Sequence, residues 1–234
     1  MTTLRERVLD ALGTAYDPEL DEPITSLRFV SSVQIDEHGE VEVSLRLPTP
    51  QCAPNFAYLM AADARRAVRR LPGAPSVTVQ LEDHYTGQEI NAALKRDEGF
   101  TGAFPGETAD DELEGLRSLF ARKALVVRQS NICDGLLAGG ESLADVAQHR
   151  VRDLPDSADA RRCLELRSQL GLSCDPDAPA FVHPTGEAVA ARDMQRWLRM
   201  GRLVRTSLEA NGGICRSLLQ FRHNLAADPE EVVR

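Results

Sequence analysis

Apolar positions recur along this chain with two different periods, and the change from one to the other marks its elements. Leu4, Val8, Ala11, Leu12 and Ala15 share one helical face, and Thr3 with Glu6 has capping-box spacing, so a helix is predicted over residues 3 to 15. Pro18 is expected to stop it. From Leu27 the period falls to two. Leu27, Phe29, Val33 and Ile35, then Val41, Val43, Leu45 and Leu47 after the Asp36-Glu37-His38-Gly39 turn, predict a β-hairpin with one buried face.

Pro48 and Pro50 end the second strand, and Phe56, Leu59, Met60, Ala64, Ala67, Val68 and Leu71 trace a helix up to Pro72-Gly73. Val77, Val79 and Leu81 then alternate with polar residues as a third strand. The order αββαβ predicts an α+β domain over residues 1 to 96, its helices packed on a small sheet. Residues 97 to 111 mix glycine, proline and acids without either period and read as a linker, with Phe100 and Phe104 docking it locally. Helical spacing returns near 111 to 138, 141 to 150, 156 to 170, 187 to 209 and 213 to 225. Residues 112 to 234 are therefore expected to form an all-α domain, with Gly212-Gly213 separating its last two helices.

A content of 42% hydrophobic and 27% charged residues suits a globular chain able to bury a core. The net charge of -9 argues against nucleic acid and anionic membranes, which attract an excess of Lys and Arg, and favours a protein or metal partner. No run approaches the roughly 18 apolar residues of a membrane span, and the first residues lead straight into a charged helix, so a cytoplasmic location is expected. The five cysteines, at 52, 133, 163, 174 and 215, have neither a disulfide framework's spacing nor that of a paired zinc site. Reduced thiols are expected.

Cys52 stands where a strand ends and a helix opens, and free N-H groups at a helix start favour a negatively charged sulfur, hence a metal ligand or nucleophile. Asp17 and Glu19, around Pro18 at the expected end of the first helix, bring two carboxylates towards it. The plainer reading makes Cys52 a buried small residue, Asp17 and Glu19 turn formers, and Thr49 a helix cap. A third reading is a thiol enzyme with Cys52 as nucleophile and His84 or Asp17 as its base, although no oxyanion-hole motif accompanies it.

Elsewhere, Cys133, Cys163 and Cys215 fall in apolar helical patterns that suit core packing, and Cys174 lies in a turn. With His149, His183 and His223 they show no diagnostic spacing. Arg192, Arg196 and Arg199 lie opposite a Met194, Trp197, Leu198, Gly201, Val204 and Leu208 face. That arrangement is either a solvated surface or an arginine stripe for an acidic partner.

Asp17-Pro18-Glu19-Leu20, the segment from Ile24 to Val30, the hairpin, Thr49-Pro50-x-Cys52 and the Leu71-Pro72-Gly73 turn before Val77 succeed one another in a familiar order. Over about the first 95 residues the chain resembles the PaaD-like and SufT-like metal-sulfur cluster assembly proteins, which share the MIP-eighteen-type domain. It departs from them in reading Leu27-Arg28-Phe29-Val30 for their leucine-glycine-leucine-valine, and in placing proline two residues after Cys52 rather than one. The resemblance implies a factor that builds or delivers iron-sulfur or iron centres, with Cys52 critical and Asp17, Glu19 and Thr49 around it. Its cargo would be iron or an iron-sulfur cluster, transiently bound. Its partners would be the assembly machinery and a client metalloprotein, a soluble di-iron monooxygenase being one such client. A single thiolate falls short of the four ligands a cluster ordinarily takes, so a homodimer, carboxylate help or action on a partner would complete the site. The expectation is a carrier or adaptor without turnover chemistry, its alternatives a cysteine-dependent enzyme and a non-catalytic interaction module.

Overall fold

The computed structural model describes residues 2–106 and 110–225. Helix α1 (Leu4–Leu12) opens with the expected capping box: the Thr3 hydroxyl accepts the Glu6 N-H, and Glu6 accepts the Thr3 N-H at 2.7 Å. It ends at Leu12, short of the expected residue 15 and before Pro18 can act. Next in the chain is a small antiparallel ribbon, β1 (Tyr16–Asp17) and β2 (Glu22–Pro23). The Asp17 carboxylate turns the chain there, accepting the N-H groups of Glu19 at 2.8 Å and Leu20 at 2.9 Å.

Strand β3 (Val30–Ile35) runs antiparallel to β4 (Val41–Arg46), with Val33 opposite Val43 and a bulge between Val30 and Ser32. On β4, Val41, Val43 and Leu45 are buried and the residues between them turn outward, as one-sided burial requires. Helix α2 (Pro54–Arg69) carries the chain to β5 (Val77–Glu82), which lies parallel to β4 with Val79 beside Val43. Parallel neighbours need such a crossover.

Helix α3 (Gly87–Arg96), which the sequence reading does not include, adds Ile90, Ala93 and Leu94 to the core. Helix α4 (Phe100–Ala103) then occupies part of the expected linker. Phe100 and Phe104 are 4% and 8% exposed, and the Phe100 ring stands edge-on to Tyr58 at 5.4 Å. Aromatic burial thus docks this stretch through Phe100, Ala103 and Phe104, while residues 97–99, 105 and 106 stay exposed. Residues 107–109 of the expected linker lie outside the described ones.

The remaining elements are α5 (Asp110–Ala138), α6 (Leu143–Val146), a 3-10 turn at Val151–Asp153, α7 (Ala158–Gln169), a 3-10 turn at Ala191–Asp193 and α8 (Met194–His223). The fold is α+β, with strands early in the chain and helices after them. The chain divides into two compact units, one holding the described residues of Met1–Glu114 and Asn211–Arg234, the other Gly115–Ala210. The expected division into residues 1 to 96 and 112 to 234 is corrected accordingly: the last turns of α8 belong with the first unit. Gly212-Gly213 does not interrupt α8. A helical glycine costs only about 1 kcal/mol against alanine, and no proline lies between the pair and the helix end at His223. A Cβ on Gly212 would stand 3.2 Å from the Glu22 carboxylate, so the missing side chain lets β2 approach.

The second unit packs Leu125, Cys133, Val146, Cys163, Leu166 and Met194 into a core, with the expected Trp197 and Leu198 alongside. Among the described residues no helix is long and apolar enough to cross a membrane.

Candidate functional site

The loop between β4 and α2 carries Cys52. Its N-H reaches back to the Thr49 carbonyl at 3.4 Å, closing a tight turn. The Thr49 hydroxyl accepts the Gln51 N-H at 3.2 Å and lies 3.6 Å from the Cys52 sulfur. Thr49 is therefore not the cap of α2. Ala53 holds that position without a side-chain hydrogen bond, Pro54 fills the first helical turn, and Asn55 accepts the Phe56 N-H. Four residues separate Thr49 from the helix start proper, so its hydroxyl serves the cysteine turn instead.

Cys52 is half-buried, free of any disulfide and packed at the margin of the first unit's core. The segment after β5 clips its loop in place: the Tyr85 N-H bonds the Pro50 carbonyl at 3.1 Å. His84 accepts the Thr86 N-H on Nδ1, which leaves the proton on Nε2 to be donated to the Cys52 carbonyl at 2.8 Å. Both ring nitrogens are thus engaged with Thr86 and the backbone, and His84, one of the two candidate bases for thiol chemistry, is not turned to the sulfur.

Asp17 is buried, and burial pushes its carboxyl up to about 6 even though its two N-H bonds pull the other way. Glu19 is exposed on the same turn. A further residue joins them. Cys215, which its helical pattern assigns to core packing, is only half-buried. Its thiol is pushed up to about 11, chiefly by burial, with the charges of Asp17, Cys52 and Glu19 adding to the effect. Cys52 and Cys215 pack against the same core. No spacing signal links Cys215 to Cys52, because the two meet only through the return of α8.

Among the described residues no three His, Cys, Asp or Glu side chains are grouped to hold a metal ion. Cys52, Asp17 and Glu19 are accordingly not a ready-made three-ligand cage: Asp17 directs its accepting oxygen into its own turn. In the second unit Cys133 and Cys163 are fully buried, while Cys174 is exposed. Arg192, Arg196 and Arg199 are all exposed, Arg192 lying 3.5 Å from Asp193.

Residues 5–81 match the family described as iron-sulfur cluster assembly protein. Over 94 residues the chain is also 35% identical to an uncharacterized protein of Methanocaldococcus jannaschii, a match covering 40% of this chain and 97% of that protein. The chain belongs to the iron-sulfur cluster assembly family. Within this family it is similar over 79 residues to the iron-sulfur cluster carrier proteins of Mycobacterium leprae, at 32% identity, and Mycobacterium tuberculosis, at 34%. Those matches cover 34% of this chain and 20% of each carrier. No solved structure matches the chain. The family segment contains Asp17, Glu19, Thr49 and Cys52, whereas Cys215 and the three arginines lie beyond it.

Proposed function

We propose that this protein binds iron or an iron-sulfur cluster transiently at Cys52 and passes it to client metalloproteins, as a carrier or adaptor without turnover chemistry. The observation that carries this reading is the free, half-buried Cys52 sulfur, held on a clipped turn inside the family segment. Similarity to proteins named iron-sulfur cluster carriers supports the same cargo. An incomplete ligand set suits transfer. A cluster ordinarily takes four protein ligands, so a second copy or the receiving protein supplies the remainder, and the cargo can leave by ligand exchange. Glu19, exposed beside the site, offers an oxygen ligand during that exchange. The engagement of His84 with Thr86 and the Cys52 carbonyl speaks for a carrier rather than a thiol enzyme.

The test is anaerobic reconstitution with iron and sulfide, then transfer to an apo-ferredoxin and to an apo di-iron monooxygenase as alternative clients. Cys52→Ser should slow transfer at least about tenfold, in line with the loss of a metal ligand. Transfer by Cys52→Ser at the wild-type rate would sink the reading. In the same reading Arg192, Arg196 and Arg199 dock the acidic face of a client. Replacing all three with glutamate should weaken client binding in a pull-down while leaving the circular dichroism spectrum unchanged.

A further inference from the structure

The last turns of α8 are fastened to the first unit at two residues that follow Cys215. Arg216, the next residue, pairs with Glu22 of β2 at 2.8 Å, where Gly212 allows close approach. Arg222, two helical turns on, donates to the carbonyls of Leu47 and Pro48, both at 3.1 Å, and pairs with Asp83. Leu47 and Pro48 immediately precede the Thr49–Cys52 turn, and Glu22 closes the ribbon whose turn holds Asp17 and Glu19. Leu219, one helical turn beyond Cys215, is buried in the same core against which Cys52 packs. Cys215 therefore lies on the stretch of α8 tied both to the carboxylate ribbon and to the segment that leads into the cysteine turn, and it packs against the same core as Cys52.

We propose that Cys215 supplies a second thiolate for the cargo held at Cys52, so that one chain presents a two-sulfur site for a thiophilic iron centre. This rests on the carrier reading above and deepens it. Thiolates are the donors that soft metal centres and iron-sulfur clusters select. Two per chain give four across a pair of chains, the number a cluster ordinarily takes. A cysteine thiol ordinarily carries its proton near neutral pH, so the Cys215 sulfur starts as S-H. Binding forms a metal-sulfur bond, breaks the S-H bond and releases that proton to water. The metal's positive charge reverses the local balance, turning the nearby carboxylates from a penalty into support. The two other helical cysteines, Cys133 and Cys163, are sealed in the second unit's core and offer no such donor.

Cadmium under anaerobic, reducing conditions is a suitable probe, read by thiolate-to-cadmium charge-transfer absorption and by iodoacetamide labelling mapped by mass spectrometry. Cadmium should slow alkylation of both Cys52 and Cys215, and Cys215→Ser should weaken cadmium binding at least about tenfold. Labelling of the unmodified chain keeps the test decisive even if a Cys215 variant folds poorly. Protection of Cys52 alone, with Cys215 alkylated at the same rate with and without cadmium, overturns the second thiolate and leaves the carrier reading standing. Protection of neither overturns both.

Discussion

In the second unit every left-handed backbone position among the described residues is a glycine, Gly140, Gly171 and Gly186, whereas the first unit also puts Asp21, Arg28, Asp83, Asp97 and Asn224 there. Side chains tolerate that conformation poorly, and Arg28 is the least suited of the five. Buried polar groups do not divide so cleanly, since each unit holds buried side-chain nitrogens without a hydrogen-bond partner, among them Arg46 Nε in the first and Arg167 Nε in the second. In the second unit Gln129 closes both hydrogen bonds to Val182, and Arg167 donates to the carbonyls of Pro179 and Ala180. In the first unit the buried Asp17 carboxyl is held well above its ordinary value. The helical cysteines do show a contrast, since Cys133 and Cys163 are dry core residues while Cys215, like Cys52 on its turn, is half-open to solvent. Left-handed backbone at side-chain-bearing residues thus collects, among the described residues, in the unit that carries the family segment, consistent with the tendency of strain to cluster where a site must be held open.

The hardest test of this contrast exchanges polarity at the two kinds of cysteine. Burial pushes the Cys163 thiol up to about 12, so Cys163→Asp forces a carboxylate into surroundings that already reject a thiolate. A loss of about 3 to 5 kcal/mol in urea denaturation is expected, the scale of an unpaired buried charge. Cys52→Ser, at a half-exposed turn, should change stability by no more than about 0.5 kcal/mol. Equal losses at the two positions would erase the distinction between core and site cysteines.

Asp17 gives a smaller effect with a definite sign. Its folded-state value of about 6 lies above the ordinary 3.8, so the folded chain holds a proton that the unfolded chain releases between those limits. Stability contributed by this group is fully present below about pH 4, falls as pH rises towards about 6 and stays low above it. The difference corresponds to at most about 3 kcal/mol. Asp17→Asn keeps an amide oxygen able to accept the Glu19 and Leu20 N-H bonds while removing the titration. Melting temperatures between pH 4 and 7 should therefore show the variant gaining on the wild type as pH rises. Glu6, Asp97, Glu98, Asp134 and Asp145, all held below their ordinary values, act oppositely, so the comparison is read as variant minus wild type.

Local periodicity and capping chemistry are enough to read α1, the hairpin, α2, β5, α5 and α7, because each is written in neighbouring residues, whereas α8 reads as two helices split at Gly212-Gly213. The parallel pairing of β5 with β4 is not, since a strand's alternation specifies which face is buried and not which partner it takes. Helix α3 carries its own signal, Ile90, Ala93 and Leu94 with Glu89 early and Lys95-Arg96 late, overshadowed by the turn-rich stretch after it. Cys52 is legible from its Thr-Pro-x-Cys setting between strand and helix. Cys215 is not, because only the anchoring of α8 by Arg216 and Arg222 brings it to the site.

The backbone contrast can be broken most gently at Arg28, which occupies the position where the resembling family has glycine. Its φ is 61°, a conformation in which glycine avoids the clash that a Cβ makes with the neighbouring carbonyl. Arg28→Gly should therefore stabilise the chain by about 1 kcal/mol, less whatever the arginine side chain contributes. The matched substitution in the second unit is Gly171→Ala, at φ 68° with open space where the Cβ would lie, so its effect isolates the backbone. That change should destabilise by about 1 kcal/mol. Both are measurable as shifts of the urea midpoint at constant slope. Opposite signs at the two positions would mean that the first unit carries backbone strain that the second avoids. A loss at Arg28→Gly would instead mean that the arginine's contacts outweigh its conformation, and the strain would have to be sought at Asp21 and Asp83, the left-handed residues beside the Asp17 turn and His84.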